Sequence, residues 1–352
     1  MEGKTFSERL INWYTERKRD LPWRKTKDPY PVWLSEIILQ QTRVDQGMPY
    51  WESFMKTFPE IEDLASAPEE KVLRLWQGLG YYSRARNLHT TAKHVAFDLD
   101  GNFPNNYSEI LKLKGIGPYT AAAIASICFD EPRPVVDGNV FRFASRFFGI
   151  ADDISKAKSR SVFEKVLQQE IPKKEPGTFN QAMMEFGATV CAPKPQCESC
   201  LFRMDCFAFS TKQQKVLPVK TGKTKVRDRH FHYVVFKHED KYLLNERVDK
   251  DVWSGLFDFF LLEGSLPTEE VLGNVTDRFG LKHSVIEEVS EPMKHILSHQ
   301  KIYASFYLLT ISGEDQNNVI QNSALKSYSV EEMLNLPKPK LIVNYLQRVG
   351  IK

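Results

Sequence analysis

The spacing of apolar residues changes near residue 210, and this change divides the 352-residue chain into two folding patterns. Up to about residue 209 the apolar residues recur at helical intervals, and strand-like alternation is scarce. From residue 230 onward alternation with period two predicts strands at 231–237, 242–248, 256–262 and 302–311, with helical patterns at 269–279 and 340–349. The sequence therefore predicts an all-α domain over residues 1–209 and an α+β domain over residues 230–352.

Residues 210–229 form a predicted basic linker between these domains. The stretch from Phe207 to His230 contains seven basic residues and one acid, Asp228. Such a run of charge is usually a solvated connector, and contact with phosphate is the alternative if both neighbouring domains face nucleic acid. The whole chain favours nucleic acid only weakly, because 48 Lys and Arg against 45 Asp and Glu leave a net charge of +3.

The sequence contains no candidate membrane anchor. Its N-terminus lacks an apolar signal core, and its longest apolar stretch, residues 121–129, is too short to span a bilayer. We therefore expect a soluble, monomeric, intracellular protein with no membrane partner. It would be cytoplasmic and nucleoid-associated in a bacterium, or nuclear in a eukaryote.

Four of the five cysteines lie in one short segment. They have the spacing Cys-x5-Cys-x2-Cys-x5-Cys, at Cys191, Cys197, Cys200 and Cys206. Clustered cysteines in a reducing compartment indicate a metal or cluster site rather than a disulfide framework. Four thiolates this close together can bind one [4Fe–4S] cluster. Zinc is the alternative, although tetrahedral zinc sites usually take two well-separated Cys-x2-Cys pairs.

Residues 113–120, Leu-Lys-Gly-Ile-Gly-Pro-Tyr-Thr, predict a tight turn between two helices. Gly115 and Gly117 permit positive φ in the turn, and the helix that follows directs free N–H groups outward. Such a nest at a helix N-terminus suits a phosphate oxygen. An ordinary helix–helix connection is the alternative for this segment by itself.

Two carboxylates are candidates for acid–base chemistry. Glu36 lies among bulky apolar residues, and burial would raise its pKa toward the value that a general acid requires at neutral pH. A place on the polar face of an amphipathic helix is the alternative. Asp137 follows two valines and precedes a predicted helix, so it is a candidate N-cap whose carboxylate also points into a cleft.

The turn and the aspartate that follows it about twenty residues later resemble the helix–hairpin–helix signature of the endonuclease III superfamily of base-excision glycosylases. Longer motifs are similar to those of the adenine DNA glycosylase (MutY) family: Leu-Pro-Trp-Arg at 21–24, Ser-Glu at 35–36, Leu-Gln-Gln-Thr-Arg at 39–43 and Gly-Leu-Gly-Tyr-Tyr-Ser-Arg at 78–84. The resemblance covers nearly all of residues 8–206. It implies an all-α helix–hairpin–helix fold, with residues 1–28 packed against 138–209 around the cluster and 29–137 as the other lobe.

The resemblance also implies the roles of the catalytic residues. Glu36 would protonate adenine at N7, and Asp137 would stabilise the oxocarbenium-like sugar. Tyr119 and Asn139 would support them. Bifunctional members of the endonuclease III superfamily have a lysine where this chain has Tyr119, so a monofunctional, water-dependent reaction is predicted.

Further residues are implied to contact DNA. Arg24 would lie in the base pocket, the hairpin glycines would hold the backbone, and Gln41 and Tyr81 would wedge into the duplex as the base flips. A surface amide and a core aromatic are the alternatives for these last two. In the cysteine segment the family has six residues in the first gap, whereas this chain has five.

The predicted second domain contains a stretch, residues 253–259, that is similar to Nudix-like domains. The metal-binding Nudix box is absent from the sequence, which favours recognition over pyrophosphate hydrolysis. Leu297, Ser298 and His299 resemble the family's loop that checks for 8-oxoguanine opposite adenine. Many relatives have an aromatic residue in place of Leu297, and an ordinary hairpin turn is the alternative for this loop.

The predicted function is excision of adenine mispaired with 8-oxoguanine or guanine in double-stranded DNA. A thymine mismatch glycosylase shares the scaffold, but the Gln-Gln-Thr-Arg context of Glu36 and the second domain favour adenine. A non-catalytic DNA-binding protein is an alternative from another functional class, and it is disfavoured because Glu36 and Asp137 are both present. A Nudix hydrolase is the third, disfavoured by the missing box.

Overall fold

A computed structural model describes residues 5–222, 226–249, 251–297 and 299–351, and it divides into two compact units. The first unit contains residues up to Ser66 together with Asn87–Gly222. The second contains Ala67–Arg86 and the chain after residue 222. The predicted boundaries 1–209, 210–229 and 230–352 stay a prediction, and the segment 67–86 is a part of the second unit that the sequence did not predict.

Residues 5–210 are helical, as predicted. In chain order the helices are α1 (Phe6–Arg17), α2 (Pro29–Ile38), α3 (Val44–Thr57), α4 (Ile61–Ser66), α5 (Glu69–Leu75), α6 (Ser83–Lys93), α7 (Tyr107–Ile110), α8 (Pro118–Phe129), α9 (Gly138–Phe148), α10 (Ser159–Glu170), α11 (Pro176–Thr189) and α12 (Phe207–Ser210). None of the helices in the described part of the chain is long and apolar enough to cross a bilayer.

Helix α8 is the central helix of the first unit. Its residues 120–127 are all buried, because it packs against both α2 and α11. A proline at the first helical position starts α8, and Asp130 in the left-handed conformation ends it. Side chains of α2 and α11 line one pocket, so the packing of both helices on α8 fixes the walls of that pocket.

A second core joins α1 to α9, α10 and α11. Leu10 of α1 packs in one cluster with Phe143, Phe163 and Phe186 of those helices. The predicted association of residues 1–28 with residues 138–209 is therefore confirmed for α1.

The second unit is built on a mixed sheet, which confirms the α+β prediction. Its strands are β1 (Arg227–His238), β2 (Lys241–Glu246), β3 (Phe257–Asp258), β4 (Phe260–Glu263), β5 (Ser284–Val289), β6 (Met293–Ile296), β7 (Gln300–Ile311) and β8 (Lys326–Ser329). Helices α13 (Thr268–Phe279), α14 (Gly313–Gln321), α15 (Val330–Asn335) and α16 (Lys340–Arg348) accompany them. The central pair is β1 and β7, which run parallel from the register Arg227–Gln300 to Lys237–Thr310.

Two sequence predictions differ from the structure in this region. The single strand predicted at 256–262 is two strands, because β3 pairs with β2 whereas β4 pairs with β1. The basic linker is also less extended than expected. Arg227 and Arg229 already belong to β1, and Leu217 is buried in the first unit.

Contacts within the second unit explain why residues 67–86 belong to it. The backbone N–H of Lys338 donates to Gln77 Oε1 at 3.0 Å, and the Tyr82 hydroxyl lies 3.4 Å from the Lys338 carbonyl. The Arg86 guanidinium donates to the carbonyl of Ser254. These bonds fix the segment to two separate parts of the chain that follows β1.

Candidate active site

Helix α2 holds Glu36 at the wall of a pocket in the first unit. Asp28 caps the helix through the N–H of Tyr30, and eight of its ten residues are buried. Glu36 is partly exposed, because its side chain faces a cavity of about 160 Å³. The predicted residues Arg24, Tyr119, Asp137 and Asn139 line the same cavity. The structure therefore brings together the five residues that the sequence placed in the catalytic centre and base pocket.

The Glu36 carboxyl has a raised pKa, as its apolar surroundings predicted. Burial raises the pKa of Glu36 to about 7, against a hydrogen bond with Tyr119 and the charge of Arg24, which both lower it. The nearby carboxylate of Asp137 raises it further. A carboxyl with this pKa exchanges its proton near neutral pH, which is what a general acid requires.

Tyr119 keeps its proton at neutral pH. Burial raises the pKa of Tyr119 well above its usual value, and the charges of Glu36 and Asp137 add to the effect. Its hydroxyl lies 3.3 Å from the sulfur of Met184 as well as within hydrogen-bond reach of Glu36. A carboxylate is a much better acceptor than a thioether, so Tyr119 stabilises the charged form of Glu36.

Asp137 is the N-cap of α9, as expected. Its Oδ1 accepts from the backbone N–H of Val140 at 2.7 Å, and its Oδ2 accepts from Asn139 Nδ2 at 2.8 Å. Burial raises the pKa of Asp137, and these two hydrogen bonds oppose the shift. Both carboxylate oxygens are therefore held by donors that favour the charged form.

Arg142 fixes the other side of Asn139. Its Nη2 donates to Asn139 Oδ1 at 2.8 Å and to the Gly187 carbonyl at 2.6 Å, and its Nε donates to the Cys191 carbonyl at 2.8 Å. Residue 187 has to be glycine, because a Cβ there would lie 2.5 Å from the backbone oxygen of Asn139. Arg142 was not predicted from the sequence.

A buried ion cluster forms a further part of the pocket wall, and Arg24 is the one member of it that was predicted from the sequence. Glu185 of α11 is 1% exposed, and its carboxylate accepts from Arg24 Nη2 and Arg19 Nε, each at 2.7 Å. Burial raises the pKa of Glu185, but the two guanidinium groups outweigh it and hold the pKa at about 2. The signal in the sequence was an acid inside the apolar stretch of α11, with two arginines near the start of the chain to neutralise it.

The chain that forms this pocket is similar to proteins of known families. Residues 34–169 match the family described as HhH-GPD superfamily base excision DNA repair protein, and residues 232–348 match the NUDIX domain. The adenine DNA glycosylase of Buchnera aphidicola from Schizaphis graminum is 34% identical over 296 residues, which cover 84% of this chain and 85% of that protein. The chain belongs to the adenine DNA glycosylase family.

A plant relative agrees with this assignment, and two solved structures share the fold. The adenine DNA glycosylase of Arabidopsis thaliana is 38% identical over 291 residues, covering 71% of this chain and 46% of that protein. A thermostable thymine-DNA glycosylase is similar in structure, with 29% identity and a TM-score of 0.54 over 58% of this chain and 95% of that one. A DNA complex of endonuclease III has a TM-score of 0.50 at 22% identity, over 58% of this chain and 95% of that one, and shows the shared fold.

The four clustered cysteines of this adenine DNA glycosylase family member lie on the loop between α11 and α12. All four are free thiols and partly buried. Burial raises the pKa of Cys200 to about 11, and the three other thiols of the segment are close enough to raise it too. Among the described residues, no His, Cys, Asp or Glu side chains form a group of three or more that could hold a metal ion.

Two of the DNA-contact residues predicted in the first unit, Gly115 and Gln41, have positive φ angles. Gly115 has φ +78°, and Gly117 is the N-cap of α8, whose first N–H groups have no side-chain cap. Gln41 has φ 58°, which is rare for a residue with a side chain. Strain of this kind often accompanies a functional contact.

The DNA-contact residues predicted in the second unit lie around one cavity. Tyr81, Leu297 and His299 line this cavity of about 580 Å³, and Trp253 and Arg86 contribute to its wall. Tyr81 has φ 49° and is 40% exposed. Ser298 lies outside the described residues, so its predicted role is not addressed by these contacts.

Proposed function

We propose that this chain hydrolyses the N-glycosidic bond of adenine in double-stranded DNA, where adenine is mispaired with 8-oxoguanine or guanine. The observation that supports the proposal most directly is the pair of carboxyl groups, Glu36 and Asp137, in one pocket beside a protonated Tyr119. The two carboxyls have different surroundings, so one of them can act as an acid while the other stabilises positive charge. Membership of the adenine DNA glycosylase family supports the choice of base.

Glu36 would act as the acid. With a pKa of about 7, a large fraction of Glu36 is protonated at neutral pH, and it would transfer this proton to N7 of the flipped adenine. Protonation makes the base a better leaving group. The Glu36 carboxylate that remains would be stabilised by the Tyr119 hydroxyl and by the charge of Arg24.

Asp137 would stabilise the positive charge that develops on the sugar. Its two oxygens are held by Asn139 and by the start of α9, so the carboxylate needs no reorganisation when the charge appears. Tyr119 occupies the position of the lyase lysine, and no amine is therefore present there to form a Schiff base. Water would complete the reaction, which makes the enzyme monofunctional.

The ion cluster of Glu185, Arg19 and Arg24 would hold the base. Its hydrogen-bonding groups lie in the wall of the pocket, and the fixed charges could orient the ring edge of adenine. The hairpin amides near Gly115 and Gly117 would bind the phosphate backbone, and Gln41 and Tyr81 would occupy the space that base flipping opens.

The cysteine loop would hold a [4Fe–4S] cluster through Cys191, Cys197, Cys200 and Cys206. The donor types suit this group, because four cysteine thiols lie on one loop and the charges of Arg146 and Arg142 favour the charged form of Cys191. When bound, the cluster supplies four iron–thiolate bonds that cross-link the loop. Zinc is the alternative for the same four ligands.

The second unit would recognise the oxidised base rather than perform chemistry. Its Nudix-like fold lacks the metal-binding box in the sequence, and Leu297 and His299 line an accessible cavity. A neutral imidazole and a serine hydroxyl can hydrogen-bond the altered edge of 8-oxoguanine.

One experiment tests the proposed reaction. Duplexes with adenine, thymine or uracil in each mispair are incubated with the full chain, and the released base is identified by chromatography. Release of adenine opposite 8-oxoguanine and guanine is expected, with Glu36→Gln as the inactive control. Release of thymine from guanine–thymine pairs, without release of adenine, would support the thymine mismatch glycosylase instead.

A further inference from the structure

Arg146 on α9 joins the cysteine loop to the chain that leads to the second unit. Its side chain is buried, with only 5% of the residue exposed. On one side its Nη1 donates to the Ala192 carbonyl at 2.8 Å and lies 3.5 Å from Cys191 Sγ. On the other side its Nε donates to the Leu217 carbonyl at 3.0 Å. One guanidinium therefore contacts both the cysteine loop and Leu217.

The charge of Arg146 needs a partner. In the part of the chain that the structure describes, its hydrogen bonds go to carbonyl oxygens and to sulfur, and none goes to a carboxylate. A buried charge without a counter-charge is costly. Metal coordination deprotonates cysteine thiols, so a loaded cysteine loop supplies negative charge beside the guanidinium.

The residues after Leu217 are fixed to the first unit as well. We define the connector as residues 211–222. Ile154 donates through its N–H to the Val219 carbonyl at 2.9 Å, and the N–H of Thr221 lies 3.3 Å from Asp153 Oδ1. The Thr221 hydroxyl also donates to Asp153, and the N–H of Gly222 lies 3.3 Å from Ser155 Oγ. The connector is thus ordered on the first unit up to the point where the second unit begins.

We propose that Arg146 is a positioning residue through which the loaded cysteine loop orders the connector, so that loss of the cluster releases residues 217–222. The proposal rests on the cluster assigned above. Without the cluster the loop is no longer cross-linked, so Arg146 loses its fixed contacts with Cys191 and Ala192, and its bond to Leu217 is lost when it turns outward. The connector then keeps only its bonds to Ile154, Asp153 and Ser155 and the backbone bonds among residues 208–217. The cysteine loop would in this way determine whether the connector is ordered, in addition to its own conformation.

The experiment is amide hydrogen exchange of the full chain, followed by mass spectrometry of the peptide that spans the connector. Iron-loaded protein is compared with protein from which the iron has been removed by oxidation and chelation. Removal is expected to increase exchange of residues 217–222 at least tenfold, whereas the buried residues 120–127 of α8 stay protected. Equal protection of the connector in both samples would overturn the proposal.

Variants separate the role of Arg146 from loss of the fold. Arg146→Met with iron retained should show the fast connector exchange of stripped protein, whereas Arg133→Met, which removes an exposed arginine paired with Glu131, should not. Thr221→Val removes an anchor at the far end of the connector, so it should accelerate exchange while the iron content stays normal. If Arg146→Met fails to fold, Arg146→Lys replaces it, and an unchanged exchange rate in that variant contradicts the proposal.

The outcomes also distinguish this proposal from the proposed function. A chain that releases adenine but has slow connector exchange with and without iron retains the function and disproves the role of Arg146. A chain that binds no iron when purified anaerobically disproves both the cluster and this role, whatever its glycosylase activity.

Discussion

Asn139 Nδ2 donates a hydrogen bond of 2.8 Å to Asp137 Oδ2, while Asn139 Oδ1 accepts one of 2.8 Å from Arg142. The amide is fixed from both sides, because one end binds the carboxylate and the other binds a guanidinium. The orientation of Asp137 therefore depends on a residue two positions further along the chain.

Replacement of Asn139 by alanine should slow base excision about 10- to 100-fold, since a hydrogen bond to a charged group contributes about 1.5–3 kcal/mol. Asn139 lowers the pKa of Asp137, so its removal raises that pKa. Asp137 is proposed to act in its charged form, so the loss of activity at low pH should begin at a higher pH than in the wild type. Single-turnover rates across pH measure this. Asn106→Ala, at the start of α7, is the control. If the rate of Asn139→Ala falls on the acid side at the same pH as that of the wild type, the prediction is wrong.

Replacement of Glu36 by glutamine should abolish most base release but not DNA binding. Acid–base catalysis contributes about 100- to 10,000-fold, which sets the expected loss. The wild-type rate should fall as pH rises through about 7, since Glu36 is then deprotonated. This alkaline limb should be missing from the residual activity of Glu36→Gln. Turnover of the variant near the wild-type rate would exclude Glu36 as the acid.

Glutamine in place of Glu185 should destabilise the first unit by about 3–5 kcal/mol at pH 7, because it leaves two guanidinium groups without their counter-charge. The pKa of Glu185 is about 2 in the fold and near 4.5 when unfolded, so its contribution is full above pH 4.5 and lost as pH falls through 2. Denaturant midpoints should thus differ at pH 7 and converge toward pH 2. Glu109→Gln, which breaks an exposed pair with Lys112, should cost under about 1 kcal/mol and is the control.

The purified protein should be brown and contain about four irons per chain, as a [4Fe–4S] cube requires. Metal analysis and visible absorption of anaerobically prepared protein measure this. Replacement of Cys200 by serine should reduce the iron content, while Cys128→Ser, outside the segment, should leave it unchanged. One equivalent of zinc with no visible absorption would support the zinc alternative.

Alanine at both Ser298 and His299 should reduce the preference for 8-oxoguanine over guanine opposite adenine. Each hydrogen bond contributes on the order of 1 kcal/mol, so a loss of roughly fivefold or more per bond is expected. Cleavage of adenine–guanine pairs should survive better, because the catalytic pocket is untouched. Competition between the two duplexes measures the ratio. A double variant with the full wild-type preference would place lesion recognition elsewhere.

The catalytic pocket was predictable where its residues lie in local motifs. The turn at Gly115 and Gly117 and the cap at Asp137 depend on neighbours within a few positions, and Glu36 is identifiable from the apolar residues around it. Glu185 was not predictable in this way. Its partner Arg19 is 166 residues away, and no local pattern links an acid in α11 to the start of the chain.

The second unit shows the same limit for strands. β1 and β7 were both predicted; β7 alternates because mainly one of its faces is buried, whereas residues 231–236 of β1 are buried on both faces. β5 was missed because most of its residues are exposed, which leaves no alternation to detect. β3 and β4 are two strands because β3 pairs with β2 whereas β4 pairs with β1. The periodicity of the sequence does not show which strand pairs with which.

The attachment of residues 67–86 to the second unit has a consequence for synthesis on the ribosome. Gln77 reaches its partner Lys338 only after 261 further residues have been added. At 5–20 residues per second, this interval is roughly 13–52 s. Throughout it, the nascent helical unit has to protect a segment whose packing partners do not yet exist. We expect this interval to be the stage of biogenesis at which the chain depends most on a holding chaperone.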